Sequence, residues 1–327
     1  MSEDAERFLE ALAALDPEAA ARILAEHREI AAEGFLVACG AGDAERVSAA
    51  LASGADANAH TAWDEDGETS RLSALFHACI GDHPQVVELL LGHGADPDDR
   101  EALAHAAQLD RIACLELMLE HGADPDLRLA DGRSVFLSAV RSGHREVADL
   151  LRAHGATERP GPVDAFLGAC MRGDEDEARA WLDRHPDLIA SLDADDRGML
   201  GQAVFERRPA AVALMASLGF DPSWEGTWGG TPLHHAAWLG DLPMVQRLLS
   251  LGAPIDARDS RFGSSPLGWA AHGSTHAARA GGSHAAVVAA LLDAGATRSA
   301  SINRGGEPPE AMASADVAAV LESRGFF

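Results

Sequence analysis

The chain has 327 residues, of which 47% are hydrophobic and 24% charged, a composition typical of folded proteins rather than disordered ones. Its 52 acidic and 26 basic residues give a net charge of −26 at pH 7, which argues against a nucleic acid partner. Every basic residue is arginine, so chemistry that depends on a lysine, such as a Schiff base, is excluded.

The start of the chain, residues 1–7, is acidic and lacks the basic and apolar regions of a secretion signal. No stretch approaches 18 uninterrupted apolar residues, so we expect a cytoplasmic protein that does not enter a membrane. The cysteines Cys39, Cys79, Cys114 and Cys170 lie far apart, without a CxxC pair or zinc spacing. We therefore expect reduced, buried thiols, no metal site and no cofactor.

A Gly-Ala-Asp phrase recurs along the chain, with close variants in its second half. The steps between successive phrases are 40, 28, 33, 64, 33 and 43 residues, and 64 is near twice 32, so the period is about 33. The first glycines of these phrases are Gly54, Gly94, Gly122, Gly155, Gly219, Gly252 and Gly295.

Each phrase follows an apolar run with the spacing of an amphipathic helix, as in residues 86–93. The glycine then suits the left-handed end of that helix. A shorter helix is predicted before each run and is clearest at Thr231-Pro232, where Thr can cap the helix and Pro fits its first turn. The sequence thus predicts two helices in each unit.

Residues 229–256 carry Thr231-Pro232-Leu233-His234, Ala236-Ala237, Gly240-Asp241 and Gly252-Ala253, and at these residues the chain resembles the ankyrin repeat family. The resemblance implies an all-α ankyrin repeat solenoid of about eight helix-turn-helix units, with short turns in place of true strands. Residues 3–31 and 306–325 are predicted to cap its ends. The predicted units are 33–58, 69–98, 100–126, 131–157, 162–191, 195–222, 229–256 and 263–297.

Two tandem arrays are predicted because residues 166–174 echo residues 35–43 at an offset of 131, after a proline-rich segment. The predicted domains are 1–158, with the N-terminal cap and repeats 1–4, and 159–327, with repeats 5–8 and the C-terminal cap. Insertions of about 7 and about 10 residues relative to the period lie within 54–94 and 252–295.

The resemblance also implies that partners are contacted by the turn tips and first helices. Aromatic and histidine residues occupy such positions in repeats 6–8, and exposed tryptophans are typical of binding hot spots. We expect this concave face to bind a protein or peptide, neutral or basic in charge. The alternative for the tryptophans is packing within their own turns or between helices. The predicted binding residues are Phe205, Trp224, Trp228, His235, Trp238, Trp269, His272, His276 and Arg279.

Other histidines have a simpler interpretation. His93, His121 and His154 precede the glycine of their phrases and are predicted to be structural. His234 matches the motif histidine, which the resemblance implies to hydrogen-bond the backbone and a threonine. His235 shares its repeat position with His77 and His105, which either pack within the core or form a polar floor.

A second function class remains open: a cofactor-free enzyme or small-molecule-binding protein with a His/Trp pocket under the insertion 272–282. His272 and His276 are four residues apart and would share one face of a helix, although the nearby glycines weaken that helix. No metalloprotease, nucleophile-elbow or phosphate-loop motif is present, so we do not expect an enzyme.

Overall fold

The computed structural model describes residues 1–13, 17–65, 68–226, 229–276 and 283–325, and the side chains of residues 62–70 lie outside this description. The chain divides into two compact units, Met1–Asp164 and Ala165–Phe327. The division between residues 158 and 159 that the sequence suggests stays a prediction. Described helices dominate both units, in agreement with the all-α expectation.

The first unit begins with a helical cap and continues as four helix pairs. The cap contains α1 (Glu3–Ala13), α2 (Pro17–Glu26) and a 3₁₀ helix (Arg28–Ala32). The pairs are α3 (Phe35–Ala41) with α4 (Ala44–Ala52), α5 (Ala74–Ile80) with α6 (Pro84–Gly92), α7 (Arg100–Gln108) with α8 (Ile112–Glu120), and α9 (Val135–Arg141) with α10 (Arg145–Ala153).

The second unit contains four further pairs, short connecting helices and a terminal helix. The pairs are α11 (Pro162–Arg172) with α12 (Glu175–Arg184), α14 (Ala194–Phe205) with α15 (Pro209–Ser217), α16 (Pro232–Trp238) with α17 (Leu242–Ser250), and α18 (Pro266–His276) with α19 (His284–Asp293). The remaining helices are α13 (Leu188–Ser191), α20 (Arg298–Ser301), α21 (Pro309–Met312) and α22 (Ala315–Ser323).

Local sequence explains where these helices begin and end. The side chain of Asp43 accepts a hydrogen bond from the N–H of Arg46 at the start of α4, and Asp241 does the same for Met244 in α17. After α6, Gly94 adopts a φ of 88° and its N–H bonds the carbonyl of Leu91, which closes the helix. The repeating glycine phrase is therefore a helix terminator, as predicted.

The expectation of turns without strands is wrong at one place. Strands β1 (His60–Glu65) and β2 (Glu68–Ser73) form an antiparallel hairpin within the first insertion. In sequence they flank Asp66-Gly67, a pair favoured in two-residue hairpin connections. The hairpin joins the repeat through Thr61, whose hydroxyl lies 3.2 Å from Nε2 of His77 in α5.

Each unit has an apolar interior between its two layers of helices. Phe76, Leu90 and Met118 are buried in the first unit, and Leu233, Val245 and Val288 in the second. All four cysteines are free and buried, in agreement with the expectation. Burial raises the pKa of the Cys39 and Cys170 thiols to about 12, so both stay protonated and unreactive at neutral pH.

Candidate binding surface

The first helices of the second unit bring predicted binding residues together in two rows. Each such helix contains two small residues, for example Ala236-Ala237, that are buried against neighbouring helices. The residues before and after this pair are three positions apart and therefore lie on one face of the helix. The residues that precede the small pair form the first row, which contains Gln202, His235 and Trp269. The residues that follow the pair form the second row, which contains Phe205, Trp238 and His272.

Ring contacts connect α14, α16 and α18 across these rows. The Phe205 ring lies 6.2 Å from His235 and His235 lies 5.9 Å from Trp269, measured between centroids. Trp269 meets Trp238 edge to face at 6.1 Å. We call the connected set the aromatic–histidine array; its members are Phe205, His235, Trp238, Trp269, His272 and His276.

The array ends in a stack of three rings. Trp238 and His272 stack at 5.5 Å with planes 28° apart, and His272 and His276 stack at 4.1 Å with planes 11° apart. Trp238 and His272 are half-buried, whereas His276 is exposed. This end of the array therefore presents ring surface to solvent.

Asp259 holds Trp269 in place. Its buried carboxylate accepts a hydrogen bond from Nε1 of Trp269 at 3.0 Å. It also accepts hydrogen bonds from the N–H groups of Arg261, Phe262 and Ser264, which shapes the turn before α18. Sequence reasoning missed Asp259; its position in the turn ahead of a Ser-Pro helix start was the available signal.

Phe262 extends the apolar surface beside the array. Its ring lies 6.0 Å from Trp269, edge to face, and 48% of the residue is exposed. The guanidinium of Arg261 lies over the other side of this ring at 5.2 Å. An exposed aromatic residue next to half-buried tryptophans is characteristic of contact surfaces.

His235 is buried with one nitrogen unpartnered. Its Nδ1 donates to the carbonyl of Gly201 at 3.1 Å, while no described residue hydrogen-bonds to its Nε2. Burial lowers its pKa, so the ring is neutral and Nε2 is a bare acceptor. The sequence left open whether His235 packs within the core or forms a polar floor. In the structure it packs in the interior, and one of its two ring nitrogens has no hydrogen bond from the described residues.

His234 has the structural role that the motif implies. Its Nδ1 accepts from the N–H of Thr231 at 3.1 Å, and its Nε2 donates to the carbonyl of Ser264 at 3.1 Å. Burial lowers the pKa of His234 to about 4. His93, His121 and His154 each donate from Nδ1 to the carbonyl four residues earlier and are structural too.

Three predicted binding residues lie outside the array or outside the described part of the chain. Trp228 and Arg279 lie outside the described residues. Trp224 has contacts distinct from the array: its Nε1 donates to the carbonyl of Ala194, and Arg197 lies over its ring at 5.7 Å. It is 37% exposed, so it partly folds onto its own unit.

A pocket of about 80 Å³ lies beside Trp224. This volume is well below the roughly 300 Å³ at which small-molecule sites begin. Its walls are formed by Ile189, Leu192, Arg197, Gly219, Phe220, Asp221 and Trp224. The insertion that would cover a His/Trp pocket is described only as far as His276, since residues 277–282 lie outside the description.

Helix pairs repeated at a regular spacing define a helical repeat protein. Residues 35–129 match the family described as ankyrin repeats (3 copies), and residues 228–260 match the ankyrin repeat. These two segments are therefore ankyrin repeats, and repeats of this kind generally mediate interactions with other proteins.

One curated protein is similar over part of its length. Protein PhlB of Serratia liquefaciens is 36% identical over 69 residues, which cover 21% of this chain and 30% of that protein. The chain thus matches less than a third of that relative. Among the described residues, no helix is both long enough and apolar enough to cross a membrane.

Proposed function

We propose that the chain is a binding module that recognises a protein or peptide through the aromatic–histidine array of repeats 6–8. The observation that supports this most directly is the continuous set of ring contacts across α14, α16 and α18. Trp238, Trp269 and His272 are half-buried and His276 is exposed, whereas His235 lies buried beneath them. The cytoplasmic location expected from the sequence is part of the proposal.

Trp238 and Trp269 are the proposed anchors. Both are half-buried, so their rings are held by neighbours and lose little conformational freedom on binding. The hydrogen bond to Asp259 fixes the orientation of Trp269 before a partner arrives. Such preorganisation favours a tight complex from a small area of contact.

The proposed partner is neutral or basic. The chain carries −26 overall, which would attract a basic partner and repel an acidic one over long distances. Most of this charge lies outside the array, so its effect would be on the rate of encounter. Contact itself would depend on apolar and aromatic side chains of the partner.

A photo-crosslinking experiment in the native cell tests the proposal. The photoreactive amino acid p-benzoylphenylalanine replaces Phe262, which is 48% exposed beside the array, or Leu251, which is 40% exposed at the end of α17. We expect a specific adduct from position 262 and not from position 251. Equal adducts from both positions would indicate non-specific contact.

The affinity of variants for the crosslinked partner then tests whether the array is the binding site. We expect Trp238→Ala to weaken binding by about 30-fold or more, the loss typical of an aromatic hot spot. Leu251→Ala serves as the matched control and should change affinity by less than about twofold. A Trp238→Ala variant that folds normally by circular dichroism and binds with unchanged affinity would show that the array is the wrong surface.

A further inference from the structure

The last turn of α18 places two imidazoles side by side. The sequence left this turn uncertain because of the glycines of the insertion, such as Gly273, yet α18 continues through His276. A Cβ at Gly273 would lie 2.5 Å from the carbonyl oxygen of Trp238, so this glycine allows α18 to approach α16 rather than ending the helix. His272 and His276 therefore share one helix face, with ring centroids 4.1 Å apart.

Both imidazoles have nitrogens available for a ligand. Nδ1 of His276 lies 3.1 Å from the carbonyl oxygen of His272 and 2.7 Å from Oγ1 of Thr275, and a proton on Nδ1 that is shared with these two acceptors leaves Nε2 with the lone pair. No described residue hydrogen-bonds to Nε2 of His276 or to either ring nitrogen of His272. Two unprotonated nitrogens can thus be presented one helical turn apart.

The close stacking of the two rings disfavours protonation of both at once. Two stacked imidazoles this close would repel each other if both were charged. The C-terminal end of α18 carries a partial negative charge that attracts a cation.

We propose that His272 and His276 form a two-ligand site for a late first-row transition-metal ion such as Cu²⁺ or Zn²⁺. Imidazole nitrogen is a preferred ligand of these ions, whereas Mg²⁺ and Ca²⁺ require oxygen. A metal–nitrogen distance of about 2.1 Å needs the two nitrogens roughly 3 Å apart, so the exposed His276 ring would rotate out of its stack with His272 when both bind one ion.

Within the described part of the chain, the pair supplies two ligands and leaves the other coordination positions of the ion open. Among the described residues, no cluster of three or more His, Cys, Asp or Glu side chains could hold a metal. The ion would therefore complete its coordination with water or with a group from another molecule. This proposal stands independently of the proposed protein partner.

Titration with Cu²⁺ at pH 7.4 tests the site through tryptophan fluorescence, because Trp238 stacks 5.5 Å from His272 and Cu²⁺ quenches nearby indoles. Zn²⁺ titration by calorimetry gives the stoichiometry. The variants are His272→Asn and His276→Asn. The matched control is His93→Asn. His93 is exposed and its Nδ1 makes the same bond to the carbonyl four residues earlier, but no second histidine lies one turn away.

We expect wild type and His93→Asn to bind one ion with the same affinity. Each substitution at the pair should weaken binding by about 10²-fold, because the second imidazole acts at high effective concentration. Trp238→Phe should retain the binding heat and show less quenching than wild type, with Trp269, whose ring lies 6.1 Å from that of Trp238, accounting for the remainder. Binding should also weaken below pH 6, where protons compete for the imidazoles.

Three results would overturn the proposal. Unchanged affinity in His276→Asn would place the ion elsewhere, and this exposed position is compatible with a normal fold that circular dichroism can verify. Quenching in Trp238→Phe as large as in the wild-type protein would also place the ion away from the pair. Absence of saturable binding by the wild-type protein up to millimolar ion would exclude a site.

Discussion

The two units share one repeat architecture but differ in the two rows beside the small residue pair. In the second unit the second row is aromatic or histidine over three successive repeats, with Phe205, Trp238 and His272. In the first unit the equivalent residues have no common chemistry; they are Gly40, Ile80, Gln108 and Arg141. The buried positions that build the stack are alike, so the face beside them is free to vary.

The net charge also differs between the two units. Residues 1–164 contain 32 acidic and 13 basic residues, a net charge of −19, whereas residues 165–327 contain 20 and 13, a net charge of −7. Five of the six tryptophans lie in the second unit. The comparison separates long-range electrostatics, concentrated in the first unit, from aromatic contact surface, concentrated in the second.

Both units bury a histidine in the first helix of a repeat. The largest effect that we predict follows from this burial: the folded protein loses stability in acid. Burial lowers the pKa of His77 and of His234 from 6.5 to about 4. The unfolded chain binds these protons near pH 6.5, so between pH 6.5 and 4 it holds more protons than the native chain. Stability is therefore fully retained above pH 6.5 and falls by about 3 kcal/mol per histidine as the pH drops to 4.

Urea unfolding at pH 7, 5.5 and 4 measures this loss. Tryptophan fluorescence reports the second unit, and hydrogen exchange of peptides from residues 74–120 reports the first. Carboxylates also titrate in this range, so the deciding quantity is the difference between variants. His77→Gln should flatten the pH dependence of the first unit only; an unchanged slope would contradict the assigned role of His77.

His234→Ala should destabilise the second unit by about 2 kcal/mol, because it leaves the buried N–H of Thr231 without a partner and removes one of the two hydrogen bonds to the carbonyl of Ser264. The equivalent residue of the second repeat in the first unit is Phe76, which needs no such bonds. Hydrogen exchange followed by mass spectrometry should show faster exchange in α16 and α18 and unchanged exchange in α5. Protection retained in α16 would refute the expected loss.

Trp269→Phe should cost about 2 kcal/mol, since it removes a hydrogen bond to the buried Asp259 carboxylate. The matched control is Trp224→Phe, which removes a bond from a partly exposed indole to the neutral carbonyl of Ala194 and should cost about 0.5–1 kcal/mol. Chemical denaturation of both variants compares the two losses. Equal losses would mean that Asp259 does not hold the array.

The smallest effect concerns the residue before the terminating glycine. The first unit uses His93, whose Nδ1 donates to the carbonyl of Leu89 at 2.8 Å, whereas the second unit has Leu218 and Leu251 at equivalent positions. The site is exposed, so His93→Leu should change the free energy of unfolding by less than about 0.5 kcal/mol. A loss above about 1 kcal/mol, measured by denaturation at pH 8, would assign these histidines a larger role.

The repeat architecture was predictable because its signals are local. Gly94 ends a helix through its own backbone conformation, and Asp241 starts one through a bond three residues away, so each is legible in a short window of sequence. The two-row placement of Trp238 and Trp269 also follows from repeat spacing alone. What these residues bind does not, because it depends on a molecule that the sequence does not contain.

Other features escaped prediction because they depend on contacts that a short sequence pattern does not reveal. Gly273 suggested a helix break, and only the carbonyl of Trp238 beside it shows that the missing side chain permits close packing. Asp259 bonds Trp269 ten residues later, and a local pattern does not reveal that pairing. The hairpin was hidden because an inserted segment of that length is compatible with a plain loop.

The shielding of the cysteines makes the chain convenient for site-specific attachment of probes. All four native thiols are free and buried, so maleimide reagents should leave the folded protein untouched. A cysteine introduced at Leu251 or Phe262, both exposed, would then be the single reactive position. A dye or spin label could report on either face of a repeat without first removing a native thiol from the interior.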